Sequence, residues 1–274
     1  MFRIGYVSET GSFREFDLGF FKFSGGEIHF KNSERNEFSH VGERGRGLLI
    51  ITDLCNSEEI MKLMLVADFF AGEDITLSIN YLPYARQDRK TSDDEPFSLK
   101  TMCRLINSCN FKVVVLNDPH SDVATALINN VVVRSRVELF ALNSLGYLFK
   151  GGKGCNPILI SPDAGAIKKN NDVATYYGIE HVNATKVRNT KTGAITATEV
   201  HTNINLEGSD LVIVDDICDG GRTFIELAKV LKTYRPKSIS LVITVGIYSN
   251  GIDSIKEHIP NIYHIYKLGE PNED

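Results

Sequence analysis

Short runs of valine, isoleucine and leucine recur along the whole chain, and they limit the folds that it can adopt. Uniformly apolar runs of this length are typical of parallel strands that are covered on both faces. Between them, Ser57–Ala71 and Thr223–Tyr234 carry apolar residues at helical spacing. The alternation of strands and helices predicts an α/β protein. The predicted strands are LLIIT (48–52), ITLSINYLPY (75–84), KVVVLND (112–118), NVVV (130–133), PILISPD (157–163), LVIVDD (211–216) and SISLVITVGIY (238–248).

The length of 274 residues and the 42% hydrophobic content allow two α/β domains, each with its own core. Polar segments follow strands in both halves, and the stretch 142–156, with four glycines, has the composition of a junction. We therefore predict two doubly wound parallel-sheet domains, at 1–140 and 141–274. The last strand or helix is left open to packing back on the first domain.

Charge and cysteine content exclude several classes of function. Thirty basic and thirty-five acidic residues give a formal charge of −5, which argues against a broad surface for nucleic acid or for an anionic membrane. The five cysteines are scattered and form no CxxC pair, so neither a disulfide framework nor a structural zinc site is indicated. The N-terminal segment has no secretory pattern, and no apolar run approaches about 18 residues. We expect a cytoplasmic protein.

The segment VIVDDICDGGRT (212–223) carries the strongest chemical signal. A predicted strand ends in two adjacent carboxylates, at the edge where open α/β sheets bind ligands. The glycines let backbone N–H groups face a phosphate, and the N-terminus of the next helix adds partial positive charge. The acids are best explained as acceptors for ribose hydroxyls or as partners for a cation. The predicted binding residues are Asp215, Asp216, Asp219, Gly220, Gly221, Arg222 and Thr223.

This segment resembles the phosphoribosyl-diphosphate-binding motif of type I phosphoribosyltransferases and their relatives, which implies their fold for the chain. The motif alone does not separate enzymes that consume phosphoribosyl diphosphate from those that make it. A simpler alternative is that Asp219 or Thr223 only caps a helix and that the glycines only form a turn.

The segment YLPYARQDRK (81–90) separates these two groups of enzymes. It resembles the nucleotide-binding segment of ribose-phosphate pyrophosphokinases, which the transferases lack. Arg86 and Gln87 follow a predicted strand, so a guanidinium and an amide can bind the phosphates and the adenine edge of ATP. The alternative is a solvated charged loop.

The segment FSGGEI (23–28) resembles another element of the same family. Its phenylalanine and glutamate contact adenine in that family, and the resemblance assigns these roles to Phe23 and Glu27. The alternative is that Phe23 belongs to the hydrophobic core.

Two further segments resemble metal-binding elements of ribose-phosphate pyrophosphokinases. NDPHS (117–121) matches a segment that supplies a metal-binding histidine, here His120, beside the nucleotide. SPDAGAIK (161–168) matches an element whose aspartate, here Asp163, serves the metal. The ordinary explanation for both is a polar turn. We expect Mg²⁺, because few carboxylates together with phosphates and water suit its octahedral coordination.

The segment Asn183–Leu206 mixes threonine, asparagine, lysine and glycine with few bulky apolar residues, and it is predicted to be a long loop. The family carries catalytic basic residues on a mobile flap at this place, and the resemblance assigns that role to Lys186 and Arg188. Such cations stabilise the charge of diphosphoryl transfer best when the flap excludes water. The alternative is a flexible linker. Val187 stands where the family typically has another arginine.

Together these resemblances imply a Mg²⁺-dependent enzyme that transfers the diphosphate of ATP to the 1-hydroxyl of ribose 5-phosphate, and they imply a homo-oligomer. Residues 219–223 read Asp-Gly-Gly-Arg-Thr where the family typically has Asp-Thr-Cys-Gly-Thr. Arg222 therefore replaces a glycine, and Gly220 replaces a hydroxyl residue. Arg222 either contacts phosphate or projects into solvent, and Gly221 is expected to take the permissive backbone role. The alternatives are a phosphoribosyltransferase and a non-catalytic regulatory homologue.

Overall fold

The chain forms two compact units in the computed structural model: Met1–Arg134 together with Leu268, and Ser135–Lys267. The structure describes residues 1–32, 47–151, 157–188 and 195–268. The boundary predicted at residue 140 lies within the first helix of the second unit. Across the described ranges, no helix has both the length and the apolar character needed to cross a membrane.

The first unit contains a six-stranded sheet and a separate two-stranded hairpin among its described residues. Its strands are β1 (Phe2–Val7), β2 (Phe13–Glu15), β3 (Phe20–Lys22), β4 (Ile28–Phe30), β5 (Gly47–Thr52), β6 (Ile75–Ile79), β7 (Val113–Asn117) and β8 (Val131–Arg134). Its helices are α1 (Ser57–Phe69), α2 (Ser98–Ser108) and α3 (Asp122–Leu127).

The large sheet of the first unit has the order β2-β1-β5-β6-β7-β8. Strands β5 to β8 pair in parallel, whereas β1 runs antiparallel to both β2 and β5. The helices bury their apolar faces against this sheet, as the mixed core of strand and helix side chains shows. Asn56 caps α1, because its side chain accepts a hydrogen bond of 2.9 Å from the Glu59 amide. Because β5 to β8 are parallel, they end at the same edge of the sheet, and polar segments follow them there.

The second unit is built around another six-stranded sheet in its described part. Its strands are β9 (Pro157–Ser161), β10 (Glu180–Arg188), β11 (Ile195–His201), β12 (Asp210–Cys218), β13 (Ser238–Gly246) and β14 (Asn261–Lys267). Its helices are α4 (Arg136–Leu142), a 3₁₀ helix (Ser144–Phe149), α5 (Ile167–Tyr177), α6 (Arg222–Lys232) and α7 (Asp253–Lys256).

The sheet of the second unit has the order β11-β10-β9-β12-β13-β14. Strands β10 and β12 both pair in parallel with β9, so the chain changes direction across the sheet between β9 and β12. Ligands of open α/β sheets bind beyond the carboxyl ends of the strands at such a switch point. The last strand, β14, pairs with β13 and therefore belongs to this sheet.

The structure confirms the α/β class, with parallel strands in each unit. It adds antiparallel strands at one edge of each sheet, namely β1, β2 and β11, whose sequences lack the aliphatic runs that mark the parallel strands. The segment Asn183–Leu206 differs from the predicted loop, since β10 and β11 form an antiparallel pair there. Threonine, valine and isoleucine favour strands even without a strong apolar pattern. Residues 189–194 lie outside the described part of the chain.

The core of the second unit supplies a stability prediction. Phe140 and Phe149 are fully buried, and their rings stack with 5.3 Å between centroids. Phe140→Ala should lower the free energy of unfolding by about 3–5 kcal/mol, because it leaves a cavity. Leu142→Ala, on the same helix at a site that is 74% exposed, should change it by less than about 0.5 kcal/mol. Urea denaturation measures both variants, and equal losses would contradict this assignment of the core.

Candidate active site

A chain of buried polar side chains joins the ends of three neighbouring strands in the first unit. Asp53, Asn80 and Asn117 follow or end β5, β6 and β7, and each is at most 5% exposed. The Asn80 amide donates to Asp53 Oδ1 at 3.2 Å, and the Asn117 amide donates to Asn80 Oδ1 at 3.0 Å. Buried amides are costly without such partners. These hydrogen bonds therefore fix the first residues of the YLPYARQDRK segment and of the loop that carries His120.

These two loops line a pocket of about 510 Å³ in the first unit. Three residues predicted to bind ATP face it together, namely Arg86, Gln87 and His120. Ser98, the first residue of α2, also lines the pocket, so a helix N-terminus adjoins two arginines. Cationic side chains and a helix N-terminus are the groups that bind phosphate. The other lining residues are Asp88, Arg89, Thr91, Glu95 and Pro96.

The predicted adenine-contacting residues lie on the turn of the β3–β4 hairpin. The Phe23 amide donates to the Glu27 carbonyl at 2.9 Å, which closes this turn. Phe23 is 54% exposed, so the alternative that placed it in the core is wrong. Its ring lies 5.3 Å from Phe21 and 5.7 Å from His29, measured between centroids. An exposed aromatic cluster of this kind offers a surface on which a ligand ring can stack.

In the second unit, predicted site residues gather where β9 and β12 end. Asp163 follows β9, and its Oδ1 accepts hydrogen bonds from the amides of Gly165 and Ala166 at 3.1 and 3.3 Å. Asp215 and Asp216 lie within β12, which extends beyond its pairing with β9. Three carboxylates thus belong to the switch point of one sheet.

Burial and the adjacent carboxylate of Asp216 raise the pKa of Asp215 well above its ordinary value. The positive charge of Arg136 opposes this shift. Asp216 is itself buried, at 7% exposure, and its amide donates to Asp215 Oδ1 at 2.9 Å. Two adjacent acids in a partly dehydrated position need hydrogen-bond donors or cations as partners. Ribose hydroxyls are one such set of donors.

The loop between β12 and α6 has the backbone needed to hold a phosphate. Gly221 takes the N-cap position of α6 with φ of 73°, in the left-handed region that favours glycine. Gly221 supplies no capping side chain, so the N-terminus of α6 has no side-chain cap, while the amides of Phe224 and Ile225 donate to the Gly221 carbonyl. This geometry confirms the permissive role expected of Gly221. Thr223 is partly buried in this turn, and Arg222 before it is exposed.

Lys186 and Arg188 lie in β10, where their backbones pair with Thr198 and Ile195 of β11. Their side chains lie outside the described part of the structure. The role that the sequence predicts for them stays a prediction.

Among the described residues, no group of three or more histidine, cysteine, aspartate or glutamate side chains could hold a metal ion. The donors nearest to such a role in the second unit are the carboxylates Asp163, Asp215 and Asp216. Oxygen donors fit Mg²⁺, which commonly takes one or two protein carboxylates and completes its shell with substrate phosphates and water. The donor chemistry therefore fits a cation that arrives with a nucleotide.

Comparison with known proteins gives the family. A phosphoribosyl transferase domain model matches residues 145–267, and a model of the N-terminal domain of ribose phosphate pyrophosphokinase matches residues 12–109. The chain is 30% identical over 233 residues to a ribose-phosphate pyrophosphokinase from Aquifex aeolicus, covering 83% of this chain and 70% of that protein. The chain belongs to the ribose-phosphate pyrophosphokinase family.

Two further comparisons agree with this assignment. A ribose-phosphate pyrophosphokinase from Pyrococcus abyssi is 26% identical over 229 residues, which cover 81% of this chain and 76% of that protein. The crystal structure of a phosphoribosylpyrophosphate synthetase from Mycobacterium smegmatis has the same fold, with a TM-score of 0.72 at 19% identity. It covers 91% of this chain and 86% of its own. The predicted type I phosphoribosyltransferase fold is thereby confirmed.

Sequence reasoning missed some residues that shape the pyrophosphokinase site. Arg89 lies in the quoted YLPYARQDRK segment and lines the pocket, as does Ser98. Asn80 and Asn117 each follow an apolar strand, and that position was the available signal. Their mutual hydrogen bond joins residues 37 positions apart, so the sequence alone could not reveal it.

The loop between β12 and α6 supplies a second prediction. A methyl group at Gly221 would overlap the Ile255 side chain, and alanine is also strained at this φ. We expect Gly221→Ala to lower stability by about 1–3 kcal/mol and to weaken ribose 5-phosphate binding by about tenfold or more. Gly208→Ala is the matched control, since Gly208 has φ of 70° but open space around it. Calorimetric titration should show unchanged affinity for the Gly208 variant, and equal losses in both would contradict the prediction.

Proposed function

We propose that this protein transfers the diphosphate of ATP to the 1-hydroxyl of ribose 5-phosphate, giving 5-phosphoribosyl 1-diphosphate and AMP. The main support is that one pocket brings together Arg86, Gln87 and His120 in a chain of the pyrophosphokinase family. Phosphoribosyltransferases share the strand-to-helix loop with this family. A transferase function would leave the match of residues 12–109 to the N-terminal domain of ribose phosphate pyrophosphokinase unexplained.

ATP is proposed to bind in the pocket of the first unit. Arg86 provides a planar pair of donors that suits phosphate oxygens, and Gln87 can bind an adenine edge through its amide. Amides at the N-terminus of α2 add donors for another phosphate oxygen. Phe23 and Glu27, on the exposed hairpin turn, are the proposed adenine contacts. The aromatic character and exposure of Phe23 support its part in this assignment.

Ribose 5-phosphate is proposed to bind at the loop between β12 and α6. Asp215 and Asp216 accept hydrogen bonds from the ribose hydroxyls, which satisfies two acids that are otherwise poorly hydrated. The backbone amides that follow Gly221 bind the 5-phosphate, together with the Thr223 hydroxyl. The remaining proposed loop residues are Asp219, Gly220 and Arg222. The sugar is thereby held at both ends, which orients its 1-hydroxyl for in-line attack.

His120 in the first unit and Asp163 in the second are each proposed as a ligand of Mg²⁺. A bound ion would supply positive charge to phosphate oxygens. Lys186 and Arg188 are proposed to stabilise the remaining negative charge of the transferred group and of AMP. No general base is required, because positioning and charge stabilisation account for most of the catalysis in phosphoryl transfer. Cytoplasmic location and homo-oligomeric assembly remain predictions.

The reaction can be tested directly with the purified protein. AMP should form from ATP and ribose 5-phosphate when Mg²⁺ is present, and chelation of the metal should abolish its formation. Chromatographic detection of AMP and of phosphoribosyl diphosphate measures both products. If no AMP forms but diphosphate is released when phosphoribosyl diphosphate and a purine base are supplied, the protein is a transferase and the proposal is wrong.

A pair of variants tests the division of roles between the two units. Lys186→Ala should lower kcat by about 10²- to 10³-fold and leave nucleotide affinity nearly unchanged, because its charge acts on the transition state. Arg86→Ala should mainly raise the KM for ATP, since it removes a contact made in the ground state as well. Steady-state kinetics with calorimetric ATP titration distinguishes the two effects. If the protein were a non-catalytic regulatory homologue, neither the wild type nor the two variants would turn over substrate.

A further inference from the structure

A fully buried amide on α5 connects the strands that carry the acidic residues of the second unit. The side chain of Asn170 is 0% exposed, and its Nδ2 donates to the Val214 carbonyl at 2.8 Å and to Ser161 Oγ at 3.0 Å. Val214 directly precedes Asp215, and Ser161 lies two residues before Asp163. One side chain therefore sets the positions of both strand ends.

Asn170 is in turn held by a buried guanidinium. Arg136 Nη1 donates to Asn170 Oδ1 at 2.6 Å, and Arg136 is only 3% exposed. Ser135 and Glu138 form a capping box that fixes the start of α4, so Arg136 is the first residue of that helix. A cation is unfavourable there, because the N-terminus of a helix already carries partial positive charge. Stability of α4 does not explain this arginine.

The charged groups that act with Arg136 are acidic. The charge of Arg136 acts to lower the pKa of Asp215, whereas the carboxylates of Asp216 and Asp163 raise it. Within this described cluster, His181 binds Ser161 Oγ through Nε2 at 2.7 Å. Burial lowers the pKa of His181, which favours the neutral form of its ring. Among the described groups that act on the Asp215 carboxylate, Arg136 is the positively charged one.

We propose that Arg136 and Asn170 are positioning residues of the sugar-phosphate site. Arg136 supplies a buried positive charge close to Asp215, and Asn170 holds the segments that carry Asp163 and Asp215 in register. A buried ion cluster is weak evidence for stability, since apolar residues of similar volume often stabilise as well. Its position behind acids that accept ribose hydroxyls gives it a use in binding. This inference rests on the proposed function of those acids.

The test replaces the charge and leaves the nucleotide pocket unchanged. Arg136→Met should raise the KM for ribose 5-phosphate by about 10- to 100-fold, with the KM for ATP within about twofold of the wild type. Arg136→Lys retains the charge and should recover most of the loss. Lys232→Met is the matched control, because Lys232 is exposed on α6, and it should leave both KM values unchanged. A merely structural role would change both KM values together or neither.

Arg136→Gln extends the test to a variant that keeps an N–H donor on a shorter side chain and removes the charge. Should Arg136→Met not fold, the same separation of the two KM values is expected for Arg136→Gln. Wild-type affinity for ribose 5-phosphate in a folded Gln variant would overturn the proposal, as would equal defects in the Gln and Lys variants. Wild-type protein that forms no AMP would count against the proposed reaction instead. Calorimetric titration with ribose 5-phosphate would then still compare wild-type and Gln proteins.

Discussion

Two adjacent carboxylates on a buried strand set the electrostatic condition that the second unit has to satisfy. Asp215 and Asp216 repel each other, and burial removes the water that would screen them. They lie at the switch point between β9 and β12, where open α/β sheets bind ligands. Behind them, Arg136 provides the opposite charge. The acids are therefore stabilised from the protein side by a guanidinium and, in the proposed complex, from the ligand side by sugar hydroxyls.

The first unit solves a different problem with different groups. Its strand ends are joined by the neutral amides of Asn80 and Asn117, and Asp53 accepts the last hydrogen bond of this row. Amides define positions without adding charge, and the pocket takes its charged groups from the loops that follow, with Arg86 and Arg89 beside Asp88 and Glu95. A triphosphate needs cations, whereas ribose hydroxyls need acceptors. The first unit thus offers guanidinium groups to its proposed substrate and the second unit offers carboxylates, both near the carboxyl ends of parallel strands.

The parallel strands and the main loops were predictable because each depends on neighbouring residues. The aliphatic runs identified β5 to β9, β12 and β13, and VIVDDICDGGRT identified the loop before α6. The β10–β11 pair was missed, since strands with mixed threonine and polar residues give no clear period. The hydrogen bond between Arg136 and Asn170 joins residues 34 positions apart, and such contacts arise from tertiary packing. Nothing in the local sequence of α4 indicates that its first residue is buried.

The altered loop illustrates how a backbone requirement can be met at a neighbouring position. The left-handed residue is Gly221, so Arg222 adopts ordinary helical geometry and needs no glycine. Arg222 is exposed in the first turn of α6, where acidic residues usually stabilise a helix and a cation does not. Its charge adds to the partial positive charge of the uncapped amides, so the loop attracts anions more strongly. The substitution thus adds positive charge at the place where a 5-phosphate is proposed to bind, and Glu226, one turn along α6, is close enough to feel that charge.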